Sequence, residues 1–224
     1  MRRARFPTQA AVAAACWLVL HAAAAVAVPL TVEELASTCG SAEGLAHCGR
    51  MVEAVQMRRL PNLAVREGDV LYVTLYPSGR ASFTDSVSTS GSRSFALWDY
   101  LDPVNIAVVY ATRDDDAAFV LLQRANGRAM EVPAEPKLSP DRQRLVTADV
   151  CAERCSNEIA LWRISRDGVR KEAAWTPPEP WSDATARWKS PDTVVIEYTR
   201  GNGGPPYMLE RRLGDPGWKR IGGS

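Results

Sequence analysis

Apolar residues recur at two different periods along this chain, and the change falls near residue 66. Before it the spacing is helical. Thr31 and Glu34 form a capping box, because the hydroxyl can satisfy an orphan amide while the carboxylate reaches back. Leu45, Cys48, Val52 and Val55 follow at spacings of three and four, which puts them on one helical face. Pro61 stops the run. The pattern predicts a short helical hairpin within residues 28–66. Its apolar stripe reads as a core contact, with a protruding partner-binding helix pair as the alternative. After residue 66 the segments are short, β-branched and aromatic, and they are broken by turns. Val70 to Tyr76 and Ala81 to Ser86 flank Pro77-Ser78-Gly79, and residues 86–94 read as a Ser, Thr and Gly loop. Strands are expected at 95–98 and 106–110, parted by Asp102-Pro103. Others fall at 119–122 and 129–132 around Asn126-Gly127. Beyond a Pro-rich link at 133–140, strands are expected before and after Asp167-Gly168.

A repeat emerges from these segments. Apolar strand, glycine turn and return strand occur around Gly79, Gly127, Gly168 and Gly217, at separations of 48, 41 and 49 residues. Ser-Pro-Asp recurs at 139–141 and 190–192, each time before an apolar strand. The stretch from Ser139 to Trp175 is the clearest unit. It holds a Ser-Pro-Asp turn, an apolar strand, a second strand with Trp162, an Asp-Gly turn and a third strand. Together these residues resemble one blade of a β-propeller of the WD40 or TolB type, and the resemblance spans about residues 68–221. It implies a mainly β fold of antiparallel, blade-like sheets, a small or incomplete propeller, with the helical hairpin in front. The expected organisation is a signal peptide at 1–27, a helical segment at 28–66 and a β-rich region at 67–224.

The first residues stand apart. Arg2, Arg3 and Arg5 precede an apolar run from Ala10 to Val28, and Ala25-Val26-Ala27 is a small-x-small cleavage site. This reads as a secretory signal, with a membrane anchor as the alternative. Loss of those arginines takes the formal charge from +1 to −2. A near-neutral chain has no global field for nucleic acid, and no membrane span is expected after cleavage. Periplasmic or secreted residence follows, and it gives the cysteines a meaning. Four remain: Cys39, Cys48, Cys151 and Cys155. In an oxidising compartment they read as two disulfides, and the local pairing Cys39–Cys48 with Cys151–Cys155 is the simplest of three. Neither pair has tight zinc-ribbon spacing, so no metal is expected.

Candidate chemistry is sparse. His47 is the one histidine after residue 27, and it lies beside Cys48. No nucleophile elbow, P-loop or dinucleotide fingerprint occurs, and no cofactor is expected. Asp114-Asp115-Asp116 lacks the spacing of an EF-hand and reads as a solvated turn. The aromatics carry the remaining signal. Trp162 and Trp188 read as strand core. Trp175 and Trp181 flank the Pro177-Pro178-Glu179-Pro180 loop, where exposed aromatics could anchor a partner. Glu179 or Arg187 would supply a polar rim. In propellers such inter-blade loops gather at one face, so the resemblance implies contact there. The expected function is an exported, non-enzymatic binding or scaffold protein of the cell envelope that contacts another protein. The alternative is a periplasmic hydrolase using loop carboxylates, which need only meet in space.

Overall fold

The structure is a computed structural model that describes residues 29–89, 91–201 and 204–221. The expected signal peptide lies outside the described residues. Two helices open the described chain, α1 at Val32–Cys39 and α2 at Leu45–Arg59. The capping box forms as expected. Thr31 Oγ1 accepts the Glu34 amide at 3.1 Å, and the Glu34 carboxylate accepts the Thr31 amide at 2.9 Å. A Cys39–Cys48 disulfide, with Cα atoms 4.9 Å apart, joins the end of α1 to the first turn of α2. The buried side of α2 is rotated from the expected stripe. Leu45 is exposed, while Gly49, Val52, Glu53 and Gln56 are buried. Two polar residues hold that side because each finds buried partners. Gln56 Nε2 donates to the Trp98 carbonyl at 2.8 Å. Glu53 accepts from the Leu97 amide and from Arg66. Gly49 has to lack a side chain, since a Cβ there would lie 2.8 Å from the Tyr110 ring.

Sixteen strands in four antiparallel sheets follow among the described residues, and the sheets run as meanders in chain order except for one last strand that returns to the third. The first holds β1 at Ala64–Glu67, β2 at Val70–Thr74 and β3 at Arg80–Thr84. The second holds β4 at Ser86–Ser88, β5 at Gly91–Leu101, β6 at Ile106–Arg113, β7 at Asp116–Gln123 and β8 at Ala129–Val132. The third holds β9 at Lys137–Leu138, β10 at Arg144–Asp149, β11 at Glu158–Ser165 and β12 at Gly168–Trp175. The fourth holds β13 at Trp181–Ser190, β14 at Thr193–Arg200 and β15 at Tyr207–Arg212. A last strand, β16 at Lys219–Arg220, returns to the edge of the third sheet beside β12.

Three apolar cores lie between successive sheets. Leu71 and Val73 of the first sheet meet Leu97, Val109 and Leu122 of the second. Trp98, Tyr110 and Phe119 of the second meet Leu145 and Trp162 of the third, with Val52 of α2. Val146, Ile159 and Leu161 of the third meet Ala184, Ala186, Val194 and Ile196 of the fourth. The inner sheets are therefore covered on both faces. That is why β6 is buried from Ile106 to Thr112 without alternation. The outer faces differ. The first sheet turns Glu67, Arg80, Ser82 and Thr84 outward, and the fourth turns Thr185, Glu197 and Glu210 outward. No core among the described residues joins the first sheet to the fourth. Polar end faces cap a linear stack of repeats, so the four blades form an open, incomplete propeller-like stack.

Both Ser-Pro-Asp motifs are the same turn. Ser139 Oγ donates to Asp141 Oδ1 at 2.5 Å between β9 and β10, and Ser190 Oγ to Asp192 Oδ1 at 2.6 Å between β13 and β14. Three of the expected glycine turns join paired strands: Gly79 between β2 and β3, Gly127 between β7 and β8, and Gly168 between β11 and β12. The fourth is corrected. Gly217 lies between β15 and β16, which pair with β14 and β12 and not with each other. The cause is Trp218, buried between the third and fourth sheets with its Nε1 donating to the Arg212 carbonyl at 2.9 Å. The expected loop at 86–94 is also corrected, because Ser86 to Ser88 pair with the start of β5. Finally, β1 begins at Ala64, inside the stretch 28–66.

Candidate functional site

The sequence singled out Trp175, Trp181, Glu179 and Arg187, and the structure brings three of them together. The exposure expected of the two tryptophans is corrected. Trp175 is 7% exposed and Trp181 6%, and they meet edge to face with ring centroids 5.6 Å apart. Their burial has a local cause. A bulge between Trp181 and Asp183 shifts the register of β13, so Trp181 turns to the same side as Ala184 and Ala186. Those small residues leave room for the indoles. What reaches the surface is the next part of the ladder. Trp181 stacks on Tyr198 at 3.8 Å, and Tyr198 on Tyr207 at 5.5 Å. The Arg200 guanidinium lies 4.6 Å over the Tyr207 ring, and Glu179 faces Arg200 at 3.6 Å. Tyr207 is 39% exposed and Met208 64%, at the start of edge strand β15. Pro178, Pro180, Pro205 and Pro206 are exposed around them. Proline has little backbone freedom to lose on binding. Sequence reading missed Tyr207 and Arg200. Their partners lie on other strands, and only the sheet register shows it.

Arg187 belongs elsewhere. It lines a cleft of about 490 Å³ between the end of β5, the 133–136 link and β13. Asp99, Tyr100, Glu135, Lys137 and Trp188 line it too. The cleft is held open by fixed walls. Trp188 Nε1 donates to the Lys137 carbonyl at 2.9 Å, Trp98 Nε1 to Glu135 at 3.2 Å, and Lys137 pairs with Glu135 at 2.8 Å. A bulge between Leu97 and Asp99 interrupts β5 beside the cleft. Among the described residues, the Asp99 carboxylate receives one hydrogen bond, from the Tyr100 amide at 2.7 Å. Burial pushes the Asp99 carboxyl above its usual range. Nearby Glu135 pushes it further, and the Tyr100 amide and Lys137 only partly oppose this.

A stability test follows from that direction. A carboxyl whose pKa is raised by folding binds its proton more tightly in the folded chain than in the unfolded one. Folding stability therefore falls as pH rises between the unfolded and folded values, and the whole penalty applies above them. Asp99→Asn removes the penalty. The variant is expected to melt a few degrees higher than the parent at about pH 8 and to match it near pH 4. Thermal melts across that range check this, and a variant that is less stable at the high end contradicts it.

The other sequence candidates have structural roles. Cys151 and Cys155 form a disulfide with Cα atoms 5.4 Å apart, as expected of the local pairing. Asp114 accepts the Ser92 amide at 2.8 Å and Asp116 faces Arg154 at 3.6 Å, so the acidic turn is tied to its neighbours. Among the described residues no group of three or more His, Cys, Asp or Glu could hold a metal ion. No helix among them is long and apolar enough to cross a membrane. Trp162 is core as expected, with Nε1 donating to Thr147 Oγ1 at 3.0 Å.

No protein-family model matches the chain, and a search of the curated proteins finds no match. Among solved structures the chain is similar to TolB from Acinetobacter baumannii, at 16% identity and a TM-score of 0.37. The match covers 86% of this chain and 48% of that one, so the chain spans about half of that structure's length.

Proposed function

We propose that the chain is an exported, non-enzymatic, β-rich protein of the cell envelope that binds another protein. The contact surface is the open end of the fourth sheet. One observation carries the reading: a rigid aromatic stack rises from the core through Trp175, Trp181 and Tyr198 and ends at exposed Tyr207, under Arg200. Tyrosine, arginine and methionine are the residue types enriched in interface cores. The support beneath them is fixed before binding, which reduces the ordering cost. Export is supported by the two disulfides, since such bonds persist outside the cytoplasm. Trp175 and Trp181 then act through Tyr198 and Tyr207, with Glu179 at the rim. The hydrolase alternative has one observation in its favour. The cleft holds Asp99, whose carboxyl burial pushes above its usual range, together with Glu135, and a raised carboxyl pKa suits a general acid.

The test uses the full-length chain expressed in a bacterial host. It should be recovered from the periplasmic fraction, beginning near Val28 by mass spectrometry. That form, immobilised, is then compared with Tyr207→Ala/Arg200→Ala and with a control on the outer face of the first sheet, Glu67→Ala. The double variant is expected to lose capture of an envelope protein by about tenfold or more while its melt stays near the parent's. Equal capture by all three forms contradicts the surface.

A further inference from the structure

We propose that the cleft between β5, the 133–136 link and β13 is a second binding site, specific for a zwitterionic peptide group. A cationic head would face Asp99 and a carboxylate would face Arg187. Four observations support the assignment. The cleft encloses about 490 Å³, within the range of small-ligand sites. Its walls are fixed by hydrogen bonds that cross between elements, from Trp188 to the Lys137 carbonyl and from Trp98 to Glu135. Its three acids are unequal. Glu135 pairs directly with Lys137 at 2.8 Å, whereas Asp99 takes one hydrogen bond, from the Tyr100 amide, and only the longer-range field of Lys137, and Asp102 has no ion pair among the described residues. Its cations are unequal in the same way. Lys137 is paired, and Arg187 has no anionic partner among the described residues.

So the Glu135–Lys137 pair cancels itself, and the cleft wall is left with two carboxylates that have no ion pair among the described residues, Asp99 and Asp102, and with the Arg187 guanidinium. A ligand with one charge would satisfy one sign and leave the other. A ligand with both, joined by an apolar stem, satisfies both and lays the stem beside the Tyr100 and Trp188 rings. A lysine side chain and a peptide carboxylate have this chemistry. Hydrogen bonds between charged groups are stronger than those between neutral ones, so each end should contribute to binding. The site does not involve Tyr207 or Arg200, and it stands or falls apart from the proposed contact surface.

Four probes of one shape test it by calorimetric titration of the full mature chain at neutral pH. Nα-acetyl-lysine carries both charges. Nα-acetyl-lysine amide carries only the cation, Nα-acetyl-norleucine only the anion, and Nα-acetyl-norleucine amide neither. The doubly charged probe should bind best, and loss of either charge should weaken binding by about tenfold. Asp99→Asn should abolish the preference for the ammonium and keep that for the carboxylate, and Arg187→Gln should do the reverse. Melting curves establish that each variant is folded. Three results overturn the proposal: equal binding of all four probes, no binding of any, or preferences that survive both substitutions. If instead Asp99→Asn abolishes hydrolysis of a bound ester analogue while the probe preferences are absent, the cleft is the hydrolase's and this assignment is wrong.

Discussion

Replacing Glu53 with alanine is expected to destabilise the chain by about 3–5 kcal/mol, since it strands buried charge. Glu53 is 4% exposed and is the hub of the contact between α2 and the first two sheets. Arg66 donates to it through Nε at 2.9 Å and Nη2 at 2.7 Å, Arg50 at 3.1 Å, and the Leu97 amide at 3.0 Å. Removing the carboxylate leaves a largely buried guanidinium and a buried amide without their acceptor. Asp85 moderates the loss, because it lies 3.7 Å from Arg66 Nη1 and also pairs with Arg50. At this chain length the melt should fall by about 10 °C. Glu53→Gln should cost less, since its amide oxygen can still accept. A second variant separates the charge from the packing. Adding Arg66→Met to Glu53→Ala should recover part of the loss, because an apolar replacement of both partners is tolerated where removal of one is not. Calorimetry of the three forms checks this. A Glu53→Ala melt within about 2 °C of the parent contradicts the network's role.

The same residue shows where sequence reading stops. Periodicity finds α2 because Cys48 and Val52 recur at helical spacing, and it finds the strands because Val, Ile and aromatic residues cluster between turns. Reading the apolar stripe as the buried face assumes that Glu and Gln point to water. Here they do not. Their partners, Arg66, Leu97 and Trp98, come from other elements 13 to 44 residues away, and no local pattern announces them. The repeat was legible where its glycines join adjacent strands, as at Gly79 and Gly168. It failed at Gly217 because Trp218 goes to the core between the third and fourth sheets, a long-range choice that a turn signal cannot express. The disulfides were legible because each closes a short loop. The cleft was not. Asp99, Glu135 and Arg187 lie on three separate segments of the chain.

Trp181→Ala is expected to lower the melt by about 10 °C, as loss of a buried tryptophan costs about 3–5 kcal/mol. The sequence placed this residue beside a proline loop, and a loop position argues for exposure. The bulge after Trp181 defeats that argument, and so does simple alternation. Ala184 and Ala186 have even parity, Trp181 has odd parity, and the extra residue Ser182 puts all three on the core side. The indole then fills the space above the alanines, edge to face with Trp175 and stacked on Tyr198 at 3.8 Å. Truncation opens a cavity that Ala184 and Ala186 are too small to fill, so little of the loss is recovered by collapse. It also removes the support under Tyr198 and Tyr207. Partner capture should therefore fall together with stability, whereas Tyr207→Ala should reduce capture with a melt near the parent's. Trp181→Phe, which keeps a ring in the stack, should recover most of both. Near-ultraviolet circular dichroism gives an independent readout, because the coupled indoles lose their shared environment in the alanine variant. A Trp181→Ala form that melts like the parent and still loses capture would make the indole itself the partner contact and would undo its assignment to the core.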